Sequence, residues 1–199
     1  MTRPVLIMFL VLLLIAAGLG YYAYHWSNRV AIEEQQMAQR SQTVLPPASG
    51  PTTLVTLYVA SDADGSLRRS QENVALPQER SERARAVLRR LFGKYSQGSS
   101  THPIGAGSDV RDVFLMAGNT AIVDTTAPFA DSHPSGVLVE ELTIASMVET
   151  ITANIPGTTR VKFLIDGRSQ PTLAGHAELS ISYDVSAVQQ LAAALQNTP

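Results

Sequence analysis

The sequence has no cysteine. That removes disulfides, thiolate nucleophiles, cysteine-based zinc sites and the lipid-modified amino-terminal cysteine of a lipoprotein. An excess of one charge is missing as well: 15 Lys and Arg stand against 17 Asp and Glu, a formal net charge of -2. Such a balance offers no basic field to DNA or RNA, so no nucleic acid partner is expected. No G-x-S-x-G nucleophile elbow and no internal repeat occur. The four histidines, His25, His102, His133 and His176, have neither another histidine nor a carboxylate at a spacing that builds a helical metal face. No metal, cofactor or catalytic residue is expected from these patterns.

What is present begins with Pro4 to Tyr24, PVLIMFLVLLLIAAGLGYYAY, an apolar run without a charge. Roughly 20 such residues cross a hydrocarbon core of about 30 Å. Tyr21, Tyr22, Tyr24 and Trp26 gather at its far end, where amphipathic rings favour the headgroup boundary. Residues 1–26 therefore read as a transmembrane anchor. A cleavable signal peptide is the competing reading, with Arg3 as its positive region and Ala16, Ala17 and Gly18 as its cleavage site. The length of the run and the aromatic belt favour the anchor. A very short leading tail before a long folded region puts the amino terminus inside and the rest outside the cytoplasm, in a single-pass inner-membrane topology.

Residues 27–52 are first polar and then rich in proline and glycine; Pro46-Pro47 and Gly50-Pro51 break regular structure, which makes this a tether. Residues 53–185 read as a folded domain, and 186–199 as a tail with a short helix over Ala187 to Gln196. Within the domain, Thr53 to Ser61 has strand composition, and Asp64-Gly65 is a hairpin turn rather than a calcium loop. Ala84, Val87, Leu88, Leu91 and Tyr95 share one helical stripe, with Gly93 at the expected C-cap. Asp112–Met116 and Thr120–Thr125 form a second hairpin, followed by a loop, PFADSHPSG. A second helix buries Leu138, Leu142, Ala145, Val148, Ile151 and Ile155 and ends at Pro156-Gly157. Strands are expected over Arg160–Asp166 and Ala177–Tyr183. The fold class that follows is α+β, a mainly antiparallel sheet with two main helices packed on one face, preceded by the transmembrane helix.

Two stretches look chemical. Gly105 to Val110, GAGSDV, starts like a dinucleotide fingerprint but lacks the third glycine and leads into a strand, so it is rejected. The first helix carries Arg80, Arg83, Arg85, Arg89, Arg90 and Lys94. Arg80, Arg83, Arg89 and Arg90 are the candidate contact surface, for acidic wall polymer or anionic headgroups. The bland alternative is a solvated face paired with Glu79 and Glu82.

The segments VTLYVASDADG, RRLFG, DVFLMAGNTAIVDTT, HPSG and EELTIASMVETITANIPGTTRVKFLIDGRSQPTLAGH follow in consecutive order from Thr53 to about Tyr183. Together they resemble the GerMN domain, the sporulation and germination GerM-type module. The resemblance implies a membrane- or lipid-anchored module of the bacterial cell envelope acting in assembly or interaction, with no catalytic residues to carry over. Its structural motif falls on Asp166, Gly167, Gly175 and His176. The first two should turn the chain after a strand, Gly175 should allow a tight bend or close approach, and His176 should bond the neighbouring loop. The expected partners are the membrane and an envelope protein or a second copy, with peptidoglycan binding as the alternative and an envelope hydrolase as a third class.

Overall fold

A computed structural model describes residues 52–196. The anchor and all but the last residue of the tether lie outside the described residues. Among the described residues no helix is long and apolar enough to cross a membrane. The described residues fall within one compact unit.

The chain enters as β1 (Thr52–Ser61), turns at Gly65 and returns as β2 (Ser66–Ala75). Helix α1 (Arg80–Tyr95) follows, opened by Glu79, whose carboxylate accepts from the amides of Ser81 and Glu82. Then come β3 (Val110–Met116), β4 (Thr120–Thr125), the short helix α2 (Ala127–Asp131) and the long helix α3 (Val137–Asn154). Strands β5 (Arg160–Ile165) and β6 (Ser182–Asp184) and helix α4 (Val185–Gln196) complete it. The class is α+β and three of the four strand pairings are antiparallel, as expected, but the strands do not form one sheet. Strands β1 and β2 form a separate ladder, and β3-β4-β5-β6 form a mixed sheet in which β4 and β5 run parallel. The cause is the connection: α2 and α3 carry the chain back past the sheet, and such a crossover returns a strand in the same direction.

Helix α3 organises the domain. Every residue from Leu142 to Ile151 is buried, polar ones included. Its apolar side chains share one core with Val55 and Leu57 of β1, Leu88 and Leu91 of α1, and Val123 and Phe163 of the mixed sheet. Its polar residues serve β1. That strand uses one edge for β2 and would leave the other unpaired inside the protein. The amide of Thr56 donates to Asn154 Oδ1 at 3.0 Å, that of Tyr58 to Thr150 Oγ1 at 2.9 Å, and that of Ala60 to the Tyr95 hydroxyl at 3.0 Å. Tyr95 in turn donates to Ser146 Oγ at 2.8 Å. Asn154 Nδ2 donates back to the Thr56 carbonyl at 2.7 Å. Side chains on helices thus replace a third strand, because a buried amide without a partner is costly.

Several local expectations are corrected. Helix α1 runs through Gly93 to Tyr95, with Ser96 as its cap, because the buried Tyr95 ring and its hydroxyl bonds hold the last turn in place. Leu138 is exposed at the start of α3 rather than buried. The loop after β4 contains α2, whose Phe129 stacks on Phe92 with ring centroids 5.2 Å apart. Ala177–Ile181 is not a strand: Ala177 and Leu179 are buried in alternation with exposed Glu178 and Ser180, which imitates one, but pairing with β5 begins only at Ser182. The GAGSDV stretch has a steric role. A Cβ on Gly105 would stand 2.2 Å from Ser132 Cβ and 2.8 Å from the Ser132 carbonyl oxygen.

Two substitutions test this packing. Gly105→Ala should lower stability by roughly 1–3 kcal/mol, the usual cost of forcing an extra carbon into a filled site, measured by urea denaturation. Thr150→Val keeps the shape and removes the acceptor; it should cost about 1–3 kcal/mol and speed hydrogen exchange at the Tyr58 amide above that of neighbouring β1 amides.

Candidate functional site

The four motif residues do not converge on one site. Asp166 and Gly167 have positive φ, 48° and 74°, and turn the chain sharply after β5. Arg111 Nη1 donates to Asp166 Oδ1 at 2.7 Å, and the Gly167 amide donates to Asp124 Oδ1 at 2.7 Å, so β3 and β4 hold this turn. Gly175 and His176 belong to a different feature, built around a carboxylate that the sequence patterns did not single out.

That carboxylate is Glu140, in the first turn of α3 and fully buried. Its Oε2 accepts from the amides of Ala174, His176 and Ala177 at 3.0, 2.9 and 2.9 Å. Its Oε1 accepts from the Gly136 amide at 3.2 Å and lies 2.8 Å from His176 Nδ1. Gly175 takes φ 120°, a conformation side chains disfavour, and this lets amides on both sides of it aim at one oxygen. His176 therefore bonds the helix rather than the neighbouring loop. Burial pushes the Glu140 carboxyl up, but the His176 bond and the amides of Ala177, Ala174 and His176 outweigh it and hold the group at about 2. The helix N-terminus favours the same charge. The anion thus ties the 174–177 segment to α3.

His176 is also 42% exposed at its side chain and lines a groove of about 540 Å³ between α3, the 176–184 segment and α4. A carboxylate on Nδ1 fixes the ring with Nε2 as the free nitrogen, the arrangement of an acid–base dyad. Around it the groove shows Ile144, Ala145, Val188 and Leu191, and among the described residues no hydroxyl or thiol nucleophile is bonded to the ring.

The structure also joins two histidines that the sequence separated. His102 is fully buried, with Nδ1 2.6 Å from Asp62 Oδ1 and Nε2 2.7 Å from Thr143 Oγ1. The connectivity is that of an acid–histidine–hydroxyl triad. His133 Nε2 reaches the same Thr143 oxygen at 2.8 Å, and its Nδ1 faces the Pro134 carbonyl at 2.8 Å. A carbonyl only accepts, so Nδ1 of His133 carries its proton. Burial lowers the His133 imidazole below its ordinary value and keeps it neutral. Thr143 is 0% exposed on the inner side of α3, with its hydroxyl occupied by two rings and the Val139 carbonyl. A substrate has no approach to it. Spacing could not reveal this cluster, since its members come from the turn after β1, two loops and a helix.

The arginine face of α1 is spent largely on its own chain. Arg80 Nη2 donates to the Pro156 carbonyl, Arg83 Nε to the Pro77 carbonyl, and Arg89 Nε to the Val110 carbonyl, at 2.8, 3.2 and 2.9 Å. Arg89 also meets Asp109 at 2.9 Å, and Arg90 meets Glu72 at 3.3 Å. Arg85 pairs with Glu82.

Glu140→Gln tests the carboxylate brace. The folded group ionises below the ordinary glutamate value of 4.5, so its stabilisation is complete above that pH and is lost as pH falls toward about 2. A shift of this size corresponds to roughly 3 kcal/mol. Urea denaturation should show a loss of that order at pH 7 in the variant, and a flattened decline of stability across the same acid window.

Comparison with solved structures places this chain beside the tandem GerMN domains of the sporulation protein GerM from Bacillus subtilis, at 20% identity and a TM-score of 0.51. That match covers 67% of this chain and 45% of the tandem structure, so the chain spans less than half of it. The first GerMN domain of the same protein matches at 19% identity and a TM-score of 0.47, covering 67% of this chain and 96% of that one. A Clostridium perfringens protein described as a lipoprotein matches at 18% identity and a TM-score of 0.47, covering 71% and 93%. No curated protein matches. The family model described as sporulation and spore germination matches residues 56–171, more than half of the sequence, and the chain belongs to that family, Germane, whose domains are of the GerMN type.

Proposed function

We propose that this is a non-catalytic, membrane-anchored protein of the bacterial cell envelope, whose Germane domain stands outside the cytoplasm and acts by binding another protein or a second copy of itself. The observation that carries the reading is the fate of the chemically capable groups. Glu140 is consumed by five bonds from its own chain, and the triad-like Thr143 is sealed inside α3. What remains open is apolar surface and the His176 ring, to which no hydroxyl or thiol is bonded among the described residues. Phe114 and Met116 on β3 are 47% and 54% exposed, and Ile181 and Leu191 border the groove beside α4. Exposed apolar patches on a small domain mark contact surfaces. The charge-free run from Pro4 to Tyr24 supports the anchor and a single-pass plasma membrane location. Family membership supports a role in sporulation or germination.

Peptidoglycan binding is the second reading, supported by a basic hollow on α1 lined by Arg89, Arg90 and Lys94. The ion pairs of these residues with Asp109 and Glu72 weigh against it.

Crosslinking the full chain in its own membrane separates these readings. A discrete protein adduct, with no retention on purified peptidoglycan, is the expected result. Salt-sensitive retention on peptidoglycan without a protein adduct would instead favour the wall. A fluorophosphonate probe should leave the folded chain unlabelled; labelling at Thr143 would make it an enzyme.

A further inference from the structure

The groove between α3 and α4 has the chemistry of a receptor for one kind of segment. Its floor is aliphatic: Ile144 and Ala145 from α3, Val188 and Leu191 from α4. Ile181 and Leu191 are 47% and 40% exposed there, apolar surface that water covers in the free domain. Its volume of about 540 Å³ falls in the range of built ligand sites, roughly 300–1,000 Å³. The rim is acidic. Glu141 on α3, Glu178 on the connecting segment and Asp184 on β6 line it, and no lysine or arginine does.

The three carboxylates differ in how far they are occupied. Asp184 accepts from Ser186 at the start of α4 through Oδ1. Glu178 accepts from Ser180 through Oε1. Glu141 makes no hydrogen bond or ion pair among the described residues. Two cations lie near: Lys162 Nζ is turned to the Leu179 carbonyl at 2.6 Å, and Arg160 acts on Asp184 through its charge alone. Neither closes the groove.

We propose that this groove receives an amphipathic helical segment of another protein, with aliphatic residues on one face and lysine or arginine along the flanks. The proposal rests on the interaction reading above and supplies its site and partner chemistry. Two helices separated by an apolar trough accept a third through residues spaced i, i+3, i+4 and i+7, and the carboxylate rim selects the sign of the flanks. A second copy of the domain does not meet the requirement. Helix α1 carries its cations but buries its apolar stripe, Ala84, Val87, Leu88 and Leu91, in its own core. Helix α4 has apolar residues and no lysine or arginine.

The test uses the full chain in nanodiscs of uncharged lipid and three labelled 18-residue helical peptides. The first has leucine at the stated spacing with lysine flanks; the second replaces lysine by glutamate; the third replaces leucine by serine. Fluorescence anisotropy should show binding of the first alone. The pair Glu141→Lys and Glu178→Lys should weaken it at least tenfold, as should Ala187→Trp, which fills the groove from exposed α4 surface. Asp131→Lys, on α2 and away from the groove, should leave it unchanged. Circular dichroism controls for folding of each variant.

Equal binding of the lysine and glutamate peptides, or equal loss in Asp131→Lys, overturns the proposal. So does binding that appears only after residues 27–42 are deleted, which would make the chain's own segment the occupant. Concentration-dependent dimerisation abolished by Ala187→Trp would make it a second copy and also overturns it. If the groove variants leave the membrane crosslink to a protein intact, the groove is refuted while the interaction reading survives.

Discussion

The domain depends on how α3 meets β1. A two-stranded ladder buries one face but has a second edge, and inside a protein that edge must find acceptors. Asn154 and Thr150 on α3, and Tyr95 supported by Ser146, take the amides of Thr56, Tyr58 and Ala60 in turn. The helix therefore does two jobs at once. Its apolar residues fill the core, and a stripe of small polar residues closes a strand edge open to pairing with other chains. Sheet-edge assembly through β1 is blocked, and contact surfaces have to be sought elsewhere.

The same helix fixes the carboxy-terminal half through Glu140. An ionised carboxylate in a dry interior is costly unless hydrogen bonds replace its water. Here backbone amides from Gly136, Ala174, His176 and Ala177 do so, together with the His176 ring. The anion orders an irregular segment that has little pairing of its own, and this segment forms one wall of the groove against α4. Structure and candidate function are thereby coupled: the bond that holds the wall also sets its shape.

The Asp62–His102–Thr143 arrangement shows why connectivity alone does not make an active site. The distances match a charge-assisted triad, yet the hydroxyl is buried and shared with His133. Its effect is to pin the loops before Pro103 and Pro134 to the middle of α3. Buried polar networks of this kind specify one packing when every member has a partner.

The sequence by itself determined the two main helices, the strands β1, β3, β4 and β5, and the turns of the two hairpins. The alternation in Arg160–Ile165, the stripe Ala84, Val87, Leu88, Leu91 and the turn residues at Asp166-Gly167 report local geometry, which short spacing encodes. It also carried the family, through motifs in order. Tertiary structure alone decided the parallel pairing of β4 with β5, the irregular course of Ala177–Ile181, and the meeting of Asp62, His102, His133 and Thr143. It likewise decided that Glu140 is the anchor of the Gly175-His176 bend. Periodicity records which side of an element faces inward, whereas partners distant along the chain are chosen by which buried polar groups can satisfy one another once the elements have packed.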